Sequence, residues 1–513
     1  MFRKLALAAT LVSSGFAVTA NAADEFVFLA GATATDTAVR RVIVLEVCAN
    51  TIERFNSPAG FTYRCIPKPA VGLPAGDRVI ISKNSTVGAF TAVQNVRNFN
   101  IAPFLAKPFT PPAAGAIPAP CVAGANAAEF PGAPATQLYT GCADTAGGNA
   151  FAPDGGLSDV EPKLFDSITA VVNNGLGNSW SNGLASVTAF AQAFVLPVND
   201  KTYRVLQADQ KIGGCVTPAA CAALDPGFAE ANAPSLSAAD IRGFFSGTAT
   251  DWDVTSTSAP GSVSGLATGA GLNTAVKVCR RNSSSGTQAS FAALFQGKPC
   301  LGGSALAFLD NTQDNCNAAS GNNPNNDGAV GTGAGQNGMI GLPYPTVAVP
   351  FAAGSTDGCF GSYTQVINAG GGQVDVCLTN ADNLNEMAVG LLSTDRRPGD
   401  GVAPNGDDGD GIADKWHYVK YNGIYPSDNN VINCKYELIT ESNFNRRAAG
   451  NGPAYSAPVK AVLDFIQNAT ATPTNPLPGI YSLPSRGFTW DGVSQIIKCE
   501  RGGNTCAPLL STF

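Results

Sequence analysis

Histidine is almost missing from this chain: among 513 residues there is one, His417. Histidine-built zinc sites and Ser-His-Asp hydrolysis are therefore poorly served, and with no C-x-x-C pair so is c-type haem. Charge is scarce too. Asp, Glu, Lys and Arg make up 13% of the residues and sum to a formal charge of −7. No basic run or stripe occurs, which argues against nucleic acid as a partner. A negative net charge does not exclude a small anion, because backbone dipoles at a few ångströms outweigh distant, screened charges. Beyond the N-terminus no run is apolar and long enough to span a bilayer, so no membrane span is expected.

The N-terminus reads as an export signal over residues 1–22. Arg3 and Lys4 open it, an apolar stretch runs from Leu5 to about Val18, and Ala20-Asn21-Ala22 is a small-x-small cleavage site. The mature chain then begins at Ala23. The rival reading, a membrane anchor, needs a longer run, and no cysteine stands at the cleavage point for a lipid. A periplasmic or secreted location follows as the expectation.

Cysteine, glycine and proline are present in quantity, at 14, 57 and 34 residues. Fourteen cysteines in an exported chain point to disulfides. Nearness along the chain suggests Cys48–Cys65, Cys121–Cys142, Cys215–Cys221, Cys279–Cys300, Cys359–Cys377 and Cys499–Cys506. That leaves Cys316 for Cys434, although sequence alone does not fix connectivity. The length and an apolar content of 44% suit two or three folded domains.

Strand, small-residue turn and helix recur along the chain, as in an α/β architecture. Phe26-Val-Phe-Leu-Ala30 meets Gly31-Ala-Thr-Ala-Thr35 and a helical stretch through Val47. Arg78-Val-Ile-Ile-Ser82 meets Lys83-Asn-Ser-Thr-Val-Gly88 and a helix. Val276-Lys-Val-Cys279 meets Arg280 to Thr287 and a helix carrying Phe291, Leu294 and Phe295. Residues from about 100 to 157, rich in Ala, Pro and Gly, read as a disulfide-pinned insertion. A Gly/Asn-rich stretch within 301–376 reads as a surface loop. Thr188 to Val198 reads as a central or hinge strand, Ser235 or Ser237 as a helix cap, and Val459, Val462, Leu463 and Ile466 as one helix face.

Each such turn would offer free N–H groups and hydroxyls at a helix start, where an anion can bind. Small hydroxyl residues also cap helices generally, so one turn alone is weak evidence. Together the segments resemble the periplasmic phosphate-binding proteins of ABC transporters, within the type II solute-binding fold. The resemblance rests on Gly31-Ala-Thr-Ala34, Asn84-Ser-Thr-Val-Gly88, Gly156-Leu-Ser-Asp-Val-Glu-Pro162, Leu236 to Trp252, Arg281-Asn-Ser-Ser-Ser-Gly-Thr287, and Asn422-Gly-Ile-Tyr-Pro426 followed by Tyr436. The Arg281 to Thr287 segment is its most specific part.

The resemblance implies a two-lobed α/β fold with disulfide-rich insertions. Lobe 1 would take residues 23–197 and 388–513, and lobe 2 residues 198–387. It implies inorganic phosphate as ligand and an ABC permease as partner, with no enzymatic activity and no required cofactor. Thr33, Ala34, Ser85, Ser285, Gly286 and Thr287 would donate to phosphate oxygens, and Arg281 would supply the positive charge. Asp159 would accept the proton of hydrogen phosphate and so reject sulfate, which has none to give. A capping Asp159 and a surface ion pair for Arg281 are the plainer readings of those two residues.

A further motif, Asn405 to Asp414, resembles D-x-D-x-D-G calcium loops, with Asp408, Asp410 and Asp414 at ligand spacing. The alternative there is a solvated acidic turn. Three other functions compete: a secreted phosphatase, which the single histidine disfavours; a surface or filament protein that keeps the fold without transport; and a receptor for another oxyanion.

Overall fold

The computed structural model describes residues 24–511 apart from 86–87, 100–107, 112–116, 118–119, 145–150, 168–170, 172, 225–228, 247–248, 250, 255–258, 280–284, 298, 302–345, 349–371, 395–414, 472–478 and 487–494. Residues 1–22, read above as an export signal, and the Gly/Asn-rich stretch lie outside these residues.

The chain opens with β1 (Asp24–Gly31) and α1 (Asp36–Val42), which continues as a π-helical turn to Val47. The hairpin β2 (Cys48–Ser57) and β3 (Gly60–Pro67) leads to β4 (Arg78–Asn84) and α2 (Gly88–Arg97). Next come β5 (Val122–Ala128), β6 (Ala135–Thr140), β7 (Gly155–Ser158) and the long β8 (Leu184–Val195). Then follow β9 (Pro197–Asn199), α3 (Asp200–Asp209), α4 (Pro218–Ala222), β10 (Ser235–Leu236), α5 (Ala238–Ser246) and α6 (Ser262–Gly269). The unit β11 (Asn273–Cys279) and α7 (Gly286–Gln296) precedes β12 (Thr346–Ala348), α8 (Gly372–Asn383) and β13 (Glu386–Gly390). The chain closes with β14 (Leu392–Ser393), β15 (Trp416–Tyr418), β16 (Lys420–Tyr421), α9 (Asp428–Ile432), β17 (Ile439–Arg447), α10 (Ala457–Ala471), β18 (Ile480–Tyr481) and the antiparallel pair β19 (Cys499–Glu500) and β20 (Leu510–Ser511).

These strands build a mixed α/β fold on two main sheets. The larger runs β14-β8-β17-β7-β1-β4-β3-β2-β6-β5, with β18 also on β8, and the smaller runs β12-β11-β13-β9-β15. The chain passes between them twice within a single residue, at Leu196 and at Leu391. The stretch read as an insertion contributes β5 and β6 to the edge of the large sheet, and β7 to its middle.

The pattern of apolar residues explains most elements. From Ala189 to Val195 β8 is buried at every position, as a strand covered on both faces must be. On α10, Val462, Leu463 and Ile466 are fully buried at one face, each worth about 1.5–3 kcal/mol of burial. Ser237 caps α5 reciprocally: its Oγ accepts from Asp240 N at 3.2 Å, and its own N–H donates to Asp240 Oδ2 at 2.8 Å. Strand β17 breaks the pattern, since Thr440, Glu441, Ser442, Asn443 and Asn445 are buried polar residues in the sheet interior. Among the described residues no helix is long and apolar enough to cross a membrane.

Three of the disulfides join near neighbours, Cys48–Cys65, Cys121–Cys142 and Cys215–Cys221. Elsewhere the expected pairing is corrected. Cys300 bonds to Cys506 and Cys434 to Cys499, replacing Cys279–Cys300, Cys499–Cys506 and Cys316–Cys434. The reason is geometric: α7 lies between Cys279 and Cys300. That 11-residue helix carries the chain roughly 16 Å from its start, and at its far end the tail brings Cys506 to Cys300 with the Cα atoms 5.2 Å apart. Cys359 and the side chain of Cys377 lie outside the described residues.

Candidate functional site

Strands β1 and β4 are parallel neighbours, with Ala30 opposite Asn84, so the turns after them emerge side by side at one sheet edge. On the other flank of β1, β7 is also parallel, with Gly31 opposite Leu157, which brings in the Asp159 turn. Gly31 is required by this approach: a Cβ there would stand 2.3 Å from Leu157 O. Three of the sequence-derived turns therefore share one edge by strand order alone.

In the first turn the carbonyls are consumed inward. Ala32 O accepts from Thr35 Oγ1 at 2.6 Å and from Lys83 Nζ at 3.1 Å, and Ala34 O accepts from Gln192 Nε2 at 3.1 Å. Ala34 is buried; the side chain of Thr33 is outside the described residues. In the second turn Ser85 is 3% exposed, and its N–H donates to Ala59 O at 3.0 Å. Ser85 Oγ donates to Asp36 Oδ1 at 2.8 Å and accepts from Lys83 Nζ at 3.2 Å.

Asp159 is 2% exposed, and its turn is fixed from below. Ser158 Oγ donates to Val160 O at 2.6 Å, and Thr440 Oγ1 donates to Asp159 O at 3.2 Å. The buried polar side chains of β17 thus serve the turn, since Asn445 Nδ2 also donates to Ser158 Oγ at 2.9 Å.

The fourth segment comes from the smaller sheet. Ser285 caps α7, its Oγ facing Gln288 N at 3.5 Å. Phe291 packs tilted on Phe245 of α5 at 4.1 Å and stacks on Phe295 at 4.3 Å, and both Phe291 and Phe295 join the core that includes Val276 and Val278 of β11. Its first turn crosses to the larger sheet. A Cβ on Gly286 would lie 2.7 Å from Asp159 Oδ2 and 3.0 Å from the Ala89 Cβ at the start of α2. Thr287 Oγ1 stands 3.4 Å from Asp159 Oδ2. Ala32, Ala89, Val160 and Ala289 pack in one buried cluster, so all four turns meet.

Residues Ala34, Ser85, Asp159, Ser285, Gly286 and Thr287 therefore sit in segments that converge. Arg281 lies outside the described residues, as do Asp408, Asp410 and Asp414 of the acidic loop. Among the described residues no group of His, Cys, Asp and Glu side chains stands arranged for a metal ion. Two residues had no place in the motif reading: Lys83, fully buried, and Asp36, its ion-pair partner. The signal for Lys83 was a cation near the end of an apolar strand.

Behind Asp159 the C-terminal tail is latched to the same turn. Thr505 N–H and Oγ1 donate to the Glu161 carboxylate at 2.8 and 2.6 Å, and Arg501 and Gly503 N–H donate to Glu441. Burial pushes both carboxyls above the ordinary glutamate value, against the opposing pull of these hydrogen bonds.

No protein-family profile and no curated protein matches the sequence. Among solved structures the chain is similar to an ABC-type phosphate transport receptor from Vibrio cholerae, at 10% identity over 86% of this chain and 93% of that one, TM-score 0.33. It is also similar to a phosphate-binding protein from Stenotrophomonas maltophilia, at 13% identity over 90% and 87%, TM-score 0.33. A third is a human phosphate-binding apolipoprotein, at 14% identity over 87% of each chain, TM-score 0.36.

Proposed function

We propose that this protein is an exported solute-binding protein that captures hydrogen phosphate between two lobes, for delivery to an ABC permease. The observation that carries the reading is the meeting of Asp159 with the first turn of α7, across the two sheets. The start of a helix of this length concentrates N–H donors and positive dipole, which suits an anion. A carboxylate beside that point is repulsive to an anion unless the anion brings a proton. Hydrogen phosphate does so at neutral pH and sulfate does not, which gives the pair a selective chemistry. In this reading residues 23–197 and most of 388–513 form the lobe of the large sheet and 198–387 that of the small sheet, to which β13 and β15 also add, and the crossings at Leu196 and Leu391 act as hinges. Arg281 supplies the full positive charge from the segment just before Ser285.

Calorimetric titration of the purified mature chain tests this. A saturable heat with phosphate and none with sulfate is the expected result. A folded protein silent toward phosphate at millimolar concentration overturns it.

A second reading, a surface protein that keeps the fold without transport, draws on one observation. Cys300, just beyond α7, is bonded to Cys506 of the tail that Glu161 holds. A covalent tie between an element of the small sheet and one latched to the large sheet opposes hinge opening. Silence toward every oxyanion, with assembly into polymers, favours this second reading.

A further inference from the structure

Beneath the second turn lies a charge that no motif pointed to. Lys83 is the last residue but one of β4, its side chain fully buried. Its ammonium meets three oxygens: Ala32 O at 3.1 Å, Ser85 Oγ at 3.2 Å and the Asp36 carboxylate. Ser85 Oγ donates to the same carboxylate oxygen, Asp36 Oδ1, at 2.8 Å. The parallel pairing of β1 with β4 places these residues together, since Asp36 follows one strand and Ser85 the other.

A serine hydroxyl has one proton. Here Ser85 gives it to Asp36 while its lone pair accepts from Lys83. The hydroxyl therefore cannot donate to a ligand as long as it donates to Asp36. Asp36 already holds what an oxyanion would draw from this turn, one hydroxyl proton and one ammonium charge. The two partners are not equally covered: the side chain of Lys83 is 0% exposed and that of Asp36 is 20% exposed. The carboxylate is the member that can rotate toward water, where its charge is solvated, while the ligand's charge takes its place opposite the buried Lys83.

We propose that Asp36 is an internal competitor for the oxyanion, an affinity-setting residue that must surrender the Ser85 proton before the ligand is held. The proposal rests on the oxyanion reading above. The exchange is non-covalent: Ser85 Oγ–H···Oδ1 and the Lys83–Asp36 ion pair break, Ser85 Oγ–H to a ligand oxygen forms, the ligand's charge faces the Lys83 ammonium in place of Asp36, and no proton changes its heavy atom. Because the competition concerns charge and one donor, it weakens all oxyanions by a common factor. Asp159, which reads the ligand's proton, acts on their ratio instead. The two carboxylates thus have separable tasks.

The test is calorimetry of Asp36→Ala and Asp36→Asn with inorganic phosphate and sulfate, alongside the unaltered chain. Ligand-free melting curves show that each variant folds, and Asp36→Asn keeps the shape and an acceptor for Ser85 should the alanine variant fold poorly. We expect phosphate to bind about tenfold more tightly to Asp36→Ala, within the usual range of coupling between groups. Asp36→Asn should gain less, and any sulfate binding should rise by the same factor. Adding Lys83→Met to Asp36→Ala should abolish the gain. A residue with a merely structural role would lose affinity on replacement, not gain it. If the unaltered chain binds phosphate and folded Asp36 variants bind it equally or more weakly, the competitor role is wrong and the phosphate reading survives. If neither the unaltered chain nor the variants bind any oxyanion, the phosphate reading fails and the competitor role goes with it. Binding that appears only in Asp36→Ala supports both.

Discussion

Thr287 Oγ1 and Asp159 Oδ2 stand 3.4 Å apart although 128 residues separate them in sequence. One comes from the first turn of α7 on the small sheet, the other from the turn after β7 on the large one. On the hydrogen-phosphate reading, the Asp159 carboxylate accepts the ligand's proton. Asp159→Asn replaces an acceptor-only group with one that also donates. Phosphate affinity should fall roughly 10- to 100-fold, the cost of about 1–3 kcal/mol for a mismatched buried polar group. Sulfate, offered a donor in place of a repelling charge, should now bind. Titration of the variant with both anions checks this, and unchanged selectivity would remove Asp159 from the selecting role.

Gly286 sits where the first turn of α7 meets the Asp159 turn, with space for no more than hydrogen on its Cα. An added Cβ would fall 2.8 Å from Asp159 Cβ as well as 2.7 Å from its Oδ2. Elsewhere on a helix, glycine to alanine gains about 1 kcal/mol of propensity. Here the clash should win, because Asp159 is fixed from both its carbonyl and its turn. Gly286→Ala is expected to lower the melting temperature by an amount equivalent to about 1–3 kcal/mol and to weaken phosphate binding. A variant that melts higher would mean that the two turns do not meet at this glycine.

Three of the four turns were legible because each follows a run of apolar residues and precedes a helical pattern, as Arg78 to Ser82 and Val276 to Cys279 show; the Asp159 turn, after the short strand Gly155-Gly-Leu-Ser158, was legible only through the resemblance. The helix starting at Gly286 and the buried face of α10 were legible for the same reason. Strand β17 was not, because Thr440, Glu441, Ser442, Asn443 and Asn445 are buried polar residues, and burial there depends on partners such as Ser158 and Asp159 that sequence does not reveal. Lys83 and Asp36 escaped for a related reason: their meeting depends on which strand lies beside which, and β1 pairs with β4 across the intervening hairpin. Local disulfides followed nearness, while Cys300–Cys506 spans 206 residues and Cys434–Cys499 spans 65, so both needed the fold.

The tail latch should respond to pH. Glu161 and Glu441 are held above their ordinary value of 4.5, chiefly by burial. The folded state therefore binds protons more readily than the unfolded state. Their contribution is greatest at and below the unfolded value and is lost as pH rises through the folded values. Replacing both with glutamine removes the charge and keeps an acceptor for the Thr505, Arg501 and Gly503 donors. Relative to this double variant, the unaltered chain should lose stability as pH is raised from about 4.5 toward neutrality. Urea midpoints measured across that range check it; parallel curves for the two proteins would show that neither carboxyl is perturbed.

The bond between Cys300 and Cys506 should matter far more than its local contacts suggest. It closes a loop of 206 residues and ties the segment after α7 to the tail, whereas Cys215–Cys221 closes a loop of 6. In the chain-entropy account the longer closure removes more freedom from the unfolded state, and a native bond of this kind contributes about 2–4 kcal/mol. Replacing Cys300 and Cys506 together with serine should lower the urea midpoint more than replacing Cys215 and Cys221. Thr505 would then hold the tail to Glu161 by hydrogen bonds alone, so limited proteolysis should cut first between Arg501 and Leu510. Comparable losses from the two pairs, with the tail still resistant, would show that the Glu161 and Glu441 latch alone fastens it.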